Sequence, residues 1–184
     1  NVGHSNKRVL DYMNIALEKP IMGCYAYGNE IRAQYLEKLI EFAGPTFEKA
    51  FLMSAGTEAT EAAFKLMRMN GQEKKKRKLG IIAFENNWHG RTLAAQMMSG
   101  NPKQKEWVGY HDENIHHLKF PYPWALKKES GESFFNAQLK SLNDFGIDPS
   151  KDICGMILET FQGWGAIFYP PDSTKELECS SDLS

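Results

Sequence analysis

Apolar positions in this chain follow two rhythms, and the switches between them mark out the elements. From Lys7 to Leu17, Val9, Leu10, Met13, Ile15, Ala16 and Leu17 fall where a helix would gather them, and Pro20 stops that helix. Ile21 to Gly28 reads as a loop carrying Tyr25 and Tyr27. Asn29 is a helix cap by chemistry; Leu36, Leu39, Ile40 and Ala43 then share a face, and Gly44-Pro45 ends the run. Lys49 to Met53 is short and mostly apolar, which predicts a buried strand. Helical spacing returns with Ala59, Ala62, Ala63, Leu66 and Met67 and runs from Gly56 to about Asn70, with Glu61 and Lys65 as an i,i+4 pair on the polar side.

Leu79 to Phe84 is apolar without alternation, the pattern of a parallel strand covered on both faces. The helix before it supplies the crossover that parallel strands need. Leu93 to Met98 is short and apolar. Gly100 to Trp124 is irregular, with one short strand at Ile115 to Leu118. Ser133 to Asn143 reads as a helix and Ile153 to Leu158 as a third parallel strand ending at Glu159. The fold this order predicts is α/β: a three-layer α/β/α arrangement around a mostly parallel sheet.

Three strand ends then carry the residues that stand out: Gly56-Thr57, Trp88-His89 and Glu159. Open α/β sheets bind ligands outside the carboxyl ends of their strands. Ala55 and Gly56 leave the backbone of their turn open to close approach, and the helix that follows offers unpaired N–H groups and a positive dipole end. That turn suits a phosphate or another dianion. Taken singly, each feature has a plainer reading: such turns mostly bind nothing, Trp88 could be a core aromatic and Glu159 a surface acid. Together they outline a site for a flat, phosphorylated, ring-bearing cofactor. The usual nucleotide fingerprints are absent.

Composition narrows the class only slightly. The chain has 184 residues, 42% hydrophobic and 24% charged, with a net charge of -1 and a pI of about 6.6, so it is sized for one domain with a core and has no charge excess for nucleic acid. The basic run Lys74 to Lys78 follows Asn70-Gly71, a helix-stop signal, and reads as a solvated connection. Three cysteines, Cys24, Cys154 and Cys179, give neither a disulfide framework nor a metal pair, and with His116-His117 isolated from any ligand cluster no metal site is expected. A reducing, cytoplasmic setting fits, and no stretch is long and apolar enough for the membrane. The first residue is not Met, which is the pattern of a chain processed or taken from something longer.

The motifs resemble those of the class III pyridoxal-phosphate aminotransferases of fold type I. Ser54-Ala55-Gly56-Thr57-Glu58-Ala59-Thr60-Glu61 looks like that family's phosphate cup and helix, and Trp88-His89-Gly90-Arg91-Thr92 like its aromatic-His-Gly-Arg-Thr motif. Leu158-Glu159-Thr160-Phe161-Gln162-Gly163 looks like its Glu-Pro-x-Gln-Gly strand end, and Gly3-His4 like its amino-terminal Gly-His. The resemblance implies that Ala55, Gly56 and Thr57 hold the cofactor phosphate, chiefly through backbone N–H groups. It implies that Trp88 stacks on the pyridine ring, His89 sits beside it, Glu159 joins the polar network beneath it, and Tyr25 lines the substrate pocket.

There are departures from the family pattern. Ala55 stands where Ser is frequent, Thr160 where Pro is usual, and Trp164 where relatives that handle glutamate carry an acid paired with a movable Arg. An indole cannot make that ion pair. The family's Schiff-base lysine, pyridinium-pairing Asp and carboxyl-terminal domain lie beyond the point matching Pro171, so this sequence is expected to be an amino-terminal portion with no catalytic residue of its own. The implied organisation is a helical segment over 1–44, a partial cofactor-binding large domain over 45–172 and a tail without order over 173–184. The whole enzyme would move an amino group from an amine or amino acid to a keto acid, with pyridoxal phosphate as cofactor, as a cytoplasmic homodimer or other homo-oligomer; the 184-residue chain alone would not turn over. Two alternatives stand beside this: a non-catalytic oligomerising module that binds phosphate or pyridoxal phosphate weakly, and a different phosphate-binding α/β protein such as a nucleotide binder.

Overall fold

The computed structural model describes residues 2–19, 27–126 and 130–170. The chain divides into two compact units, Asn1–Leu52 and Met53–Ser184. In the first, α1 (Lys7–Leu17) starts at Asn6, whose side-chain oxygen accepts from the N–H groups of Arg8 and Val9 at 3.1 and 3.4 Å. α2 (Glu30–Ala43) starts at Asn29 in the same way, with Arg32 N–H donating at 3.0 Å, and ends at Gly44 with φ 89°. Neither helix buries a residue completely.

The expected strand at Lys49–Met53 does not form; these residues lie outside regular structure and Phe51 is 82% exposed. An apolar run becomes a strand only when a neighbouring backbone pairs with it, and no described residue does so here. Hydrophobic pattern records a tendency to be covered, and it does not name the partner.

The second unit runs α3 (Gly56–Glu73), β1 (Gly80–Phe84), α4 (Leu93–Met98), a 3-10 turn (Pro102–Val108), β2 (Ile115–Leu118), α5 (Pro123–Leu126), α6 (Gly131–Asp144), α7 (Pro149–Asp152), β3 (Ile153–Met156), β4 (Phe161–Gln162) and β5 (Ile167–Phe168). β1 lies between β2 and β3 and is parallel to both, with Ile81 opposite Ile115 on one side and Ile82 opposite Met156 on the other. β4 and β5 form a separate antiparallel ribbon.

Every residue of β1 is buried, as its unbroken apolar run requires. Alternation splits them between two cores. Ile82 and Phe84 pack with Leu118, Phe120, Phe135, Leu142 and Tyr169, which brings α6 onto one face. Ile81 and Ala83 pack with Met98 and Cys154, with Phe64 and Met67 of α3 against them, on the other. The result is a mixed α/β fold of helix, parallel sheet and helix. Phe84, Phe120 and Tyr169 meet edge to face at 5.5–6.3 Å between ring centres.

Two boundaries and one connection differ most in meaning from the sequence reading, while α6 only begins two residues earlier than expected. α3 continues through Asn70-Gly71 to Glu73, because Gly71 is buried where a side chain would strike Cys154 of β3. Glycine there marks a close helix–strand approach and not a stop. β3 ends at Met156, two residues before the expected Leu158. The basic run is more than a solvated connection: Lys76 and Lys78 donate to the carbonyls of Ser150 and Gly146 at 2.8 and 3.0 Å, and Arg77 holds buried Asp152 with two bonds of 2.8 and 2.9 Å. Among the described residues, no helix is long and apolar enough to cross a membrane.

Candidate cofactor site

α3 begins at Ala55, which is extended (φ -149°, ψ 160°) and provides no capping side chain. Glu58, in the first turn of α3, reaches back to accept the Ser54 N–H at 2.9 Å, which braces the turn ahead of the helix. The Gly56 and Thr57 N–H groups therefore face outward without a side-chain cap, and a methyl group built at Gly56 would meet nothing within 4 Å. This is the geometry of an open anion nest at the positive end of an 18-residue helix.

The second turn is joined to the first. Thr57 Oγ1 lies 2.7 Å from Thr92 Oγ1 and accepts the Thr92 N–H at 3.3 Å. Gly90 adopts φ 134°, and any side chain there would run into Thr57. The Gly-Arg-Thr part of the motif thus has a steric reason: glycine lets the aromatic turn lie directly on the nest. Glu61 completes the joint, accepting from Thr92 Oγ1 at 2.5 Å and from the N–H groups of Ala94 and Ala95 at 2.9 and 3.1 Å. The expected Glu61–Lys65 pair is not among the ion pairs of the described residues, because the carboxylate is spent on α4.

The third loop meets the second. Glu159 Oε2 accepts the Trp88 N–H at 2.7 Å. Burial raises the Glu159 pKa, and the Trp88 N–H opposes that by favouring the carboxylate. Trp88 is 36% exposed, with the Arg91 guanidinium 5.4 Å from its ring centre. Beneath it runs a buried polar chain: Asn86 Nδ2 donates to Tyr122 Oη at 3.1 Å, Tyr122 Oη to Gln162 Oε1 at 3.0 Å, and Gln162 Nε2 to Asn87 Oδ1 at 2.6 Å. Trp164 Nε1 donates to the Asn86 carbonyl at 2.8 Å. Asn87, Trp88, Arg91, Gln104 and Trp164 line a cleft of about 420 Å³.

His89 is 9% exposed; its N–H donates to Ser99 Oγ at 3.0 Å, and its Nε2 is enclosed with no hydrogen-bond partner. Burial first, and then the charge near His117, push its pKa down to about 4, so the ring is neutral at pH 7. Lys105 donates to the Met97 and Ser99 carbonyls at 3.1 and 2.7 Å and lies 3.2 Å from His117 Nε2. His116-His117 is accordingly a half-buried pair, His117 among hydrogen-bonding groups and His116 with an enclosed Nε2 that has no partner.

Of the residues singled out from sequence, Gly56, Thr57, Trp88 and Glu159 belong to turns linked by direct hydrogen bonds or packing, Ala55 caps the nest, and His89 is buried behind Trp88. Tyr25 lies outside the described residues. Sequence reasoning missed Glu61, Asn87, Gln162 and Lys105. Nothing in the sequence announced Glu61 as the cap of α4, because Thr92 stands at the N-cap position and its failure to cap is visible only in the structure.

With this geometry in view, the matches to known proteins fall into place. The pattern of the aminotransferase class-III family covers residues 1–178. The chain belongs to the class III aminotransferases. It is 33% identical over 175 residues to a mitochondrial acetylornithine aminotransferase of Candida glabrata, covering 92% of this chain and 38% of that protein. It is 31% identical to the mitochondrial acetylornithine aminotransferase of Saccharomyces cerevisiae, covering 91% of this chain and 37% of that one. The chain thus spans under two fifths of the length of the curated relatives it matches. Its fold is that of the taurine:2-oxoglutarate aminotransferase of Bifidobacterium kashiwanohense, solved with PLP and glutamate: TM-score 0.84 at 17% identity, over 100% of this chain and 42% of that one.

Proposed function

We propose that this chain carries the cofactor-holding part of a pyridoxal-phosphate-dependent enzyme that moves an amino group from an amine or amino acid to a keto acid. The observation that supports this reading is the Thr57–Thr92 contact at 2.7 Å with Gly90 packed on Thr57, which joins the turn at Gly56 to the turn that bears Trp88. The residues present fit the cofactor's phosphate and ring. Gly56 and Thr57 would bind the phosphate through backbone N–H groups, with Ala55 leaving room beside them. Trp88 would cover one face of the ring, and Glu159, fixed by the Trp88 N–H, would supply a negative group at its edge. His89, enclosed next to Trp88, would carry no positive charge at pH 7.

When bound, the cofactor supplies an electron-withdrawing ring for the proton shift in the substrate. Among the described residues no lysine lines the cleft next to Trp88 and Trp164, and in this reading the 184-residue chain would hold the cofactor without a covalent link and would not turn over. Trp164, anchored through Nε1, stands as a fixed apolar wall where an acid would permit the Arg–carboxylate switch. Substrate discrimination in the whole protein would then rest on that wall and not on a moving ion pair. The partition into a helical segment over 1–44, a cofactor-binding portion over 45–172 and a tail over 173–184 belongs to the same reading, as do a cytoplasmic setting, a homodimer and a place for Tyr25 in the substrate pocket.

The test is a titration of the 184-residue chain with pyridoxal phosphate, followed by tryptophan quenching and calorimetry, with inorganic phosphate and ATP as parallel arms. Saturable quenching by pyridoxal phosphate that is weakened tenfold or more in Gly56→Asp and in Trp88→Ala supports the reading. Binding of ATP in preference, or pyridoxal phosphate binding that ignores both substitutions, overturns it.

A further inference from the structure

Glu61 sits on α3, more than one turn past the nest, yet its carboxylate makes no contact with the nest itself. One of its oxygens accepts three hydrogen bonds from a single neighbouring segment: from Thr92 Oγ1, Ala94 N–H and Ala95 N–H, at 2.5, 2.9 and 3.1 Å. α4 has six residues, its N-cap Thr92 makes no capping bond with its own side chain, and its first turn contains no acid. Glu61 is thus its cap, supplied from another helix. The far end of α4 is held the same way, with Lys105 donating to the Met97 and Ser99 carbonyls at 3.1 and 2.7 Å. A helix this short has little stability of its own, so both of its ends are set from outside.

The direction of the hydrogen bonds gives the consequence. A carboxylate only accepts, so the single hydroxyl proton of Thr92 is committed to Glu61. In the Thr57–Thr92 contact the donor is then Thr57. Its own oxygen meanwhile accepts the Thr92 N–H. The Thr57 hydroxyl therefore has no proton left for a ligand, and the nest can donate only through its backbone.

We infer that Glu61 is a positioning residue: it locks the aromatic turn of Trp88 to the anion nest and, through Thr92, turns the Thr57 hydroxyl away from the ligand, leaving a cradle made of backbone N–H groups. In its bearing on pyridoxal phosphate this rests on the function proposed above; the lock itself does not. Glu61→Ala removes the acceptor, and Glu61→Gln keeps an oxygen that can still accept from Thr92.

Hydrogen exchange on the 184-residue chain reads the lock directly. In Glu61→Ala, the Ala94 and Ala95 amides should exchange at least tenfold faster, with Ile81 to Ala83 of β1 unchanged; in Glu61→Gln the change should stay within about threefold. Pyridoxal phosphate should bind Glu61→Ala about tenfold more weakly and Glu61→Gln within threefold of the parent. Thr57→Val combined with Glu61→Ala should be no worse than the weaker single variant, because both act through one chain of bonds. Unchanged protection at Ala94 and Ala95 in Glu61→Ala overturns the lock. Full affinity in Glu61→Ala, or additive losses in the double variant, overturns its link to the nest. A parent chain that binds no pyridoxal phosphate would sink the cofactor reading, while the exchange rates would still decide for or against the lock.

Discussion

The two ends of β1 use polar groups in opposite ways. At its amino end Arg77 and Asp152 close on each other with two hydrogen bonds, Asp152 also accepts the Asp148 N–H at 2.8 Å, and the carboxylate is wholly enclosed. Hydrogen bonding to Arg77 holds its pKa below the ordinary carboxylate value. At the carboxyl end polar groups are left over: His89 Nε2 and Asn87 Nδ2 are enclosed without partners, and the Gly56–Thr57 nest has no side-chain cap. The amino end has one exception, His116 Nε2, enclosed without a partner beside Gly80, but its Asp152 carboxylate is closed by three hydrogen bonds and contributes stability. An end with spare donors costs stability and is worth keeping where a ligand supplies the missing acceptors.

The largest expected effect comes from breaking the saturated end. Arg77→Met leaves a buried carboxylate without its cation and should lower the urea midpoint more than any other substitution proposed. Pyridoxal phosphate affinity should be unchanged wherever the variant is folded, since none of the site's turns touches Arg77. A loss of affinity in the folded variant would show that the two ends are not separate.

Acid should act on the opposite end first. His89 has its pKa depressed from an ordinary value of 6.5 to about 4, so the folded state refuses a proton that the unfolded state accepts. Stability is therefore level above about pH 6.5 and falls as pH drops toward 4, by about 3 kcal/mol for this residue. His117, also pushed to about 4, adds to the same window. The carboxylates at the amino end stay charged throughout it, with Asp148 held at about 2 by hydrogen bonds from Ser150 and Lys151. Urea midpoints at pH 7 and 4.5, in the parent and in His89→Gln, check this; equal losses in both would remove His89 from the account.

Gly90→Ala tests the joint between the turns. A side chain at φ 134° is strained and would collide with Thr57, so a loss of about 2 kcal/mol is expected, together with roughly tenfold weaker pyridoxal phosphate binding. Glu159 should matter less to stability. Glu159→Gln keeps an acceptor for the Trp88 N–H and should stay within about 0.5 kcal/mol of the parent, whereas Glu159→Ala orphans that donor and should cost about 1–2 kcal/mol. Thermal melts of the two variants side by side measure the difference.

Much of the fold was legible because it rests on local pattern. β2 matches its predicted range, and β1 and α1 do so to within a residue, since an apolar run and a capped periodic stretch each specify themselves. The strand at Lys49–Met53 failed because pairing is a property of two segments. Gly71 misled because a helix-stop residue and a close-packing residue are the same residue. At the site, the strand-end rule singled out Gly56, Trp88 and Glu159 by type and place, yet among the described residues no strand precedes Gly56 and β3 stops three residues before Glu159, so the rule's premise holds only for the turn after β1. Glu61 was misassigned to Lys65 because i,i+4 spacing is visible in sequence, whereas a cap offered to a helix 33 residues away is not. Gln162 was read only as part of its motif and Asn87 not at all, for the same reason: their bond of 2.6 Å spans 75 positions.

The smallest expected effect sharpens the comparison most finely. The Arg91 guanidinium lies over the Trp88 ring, 5.4 Å from its centre, in the turn that follows β1. If it serves only to hold the indole, Arg91→Met should cost about 0.5–1 kcal/mol, the scale of a half-exposed cation over an aromatic face. Salt should mimic it weakly in the parent and not at all in the variant, because the attraction is electrostatic. Trp88 emission is the direct readout, with Trp88→Phe as the blank that removes the other three tryptophans' signal. A stability change well above 1 kcal/mol would instead give Arg91 a structural share comparable to that of Arg77, and the contrast between a closed and an open end of the sheet would no longer hold.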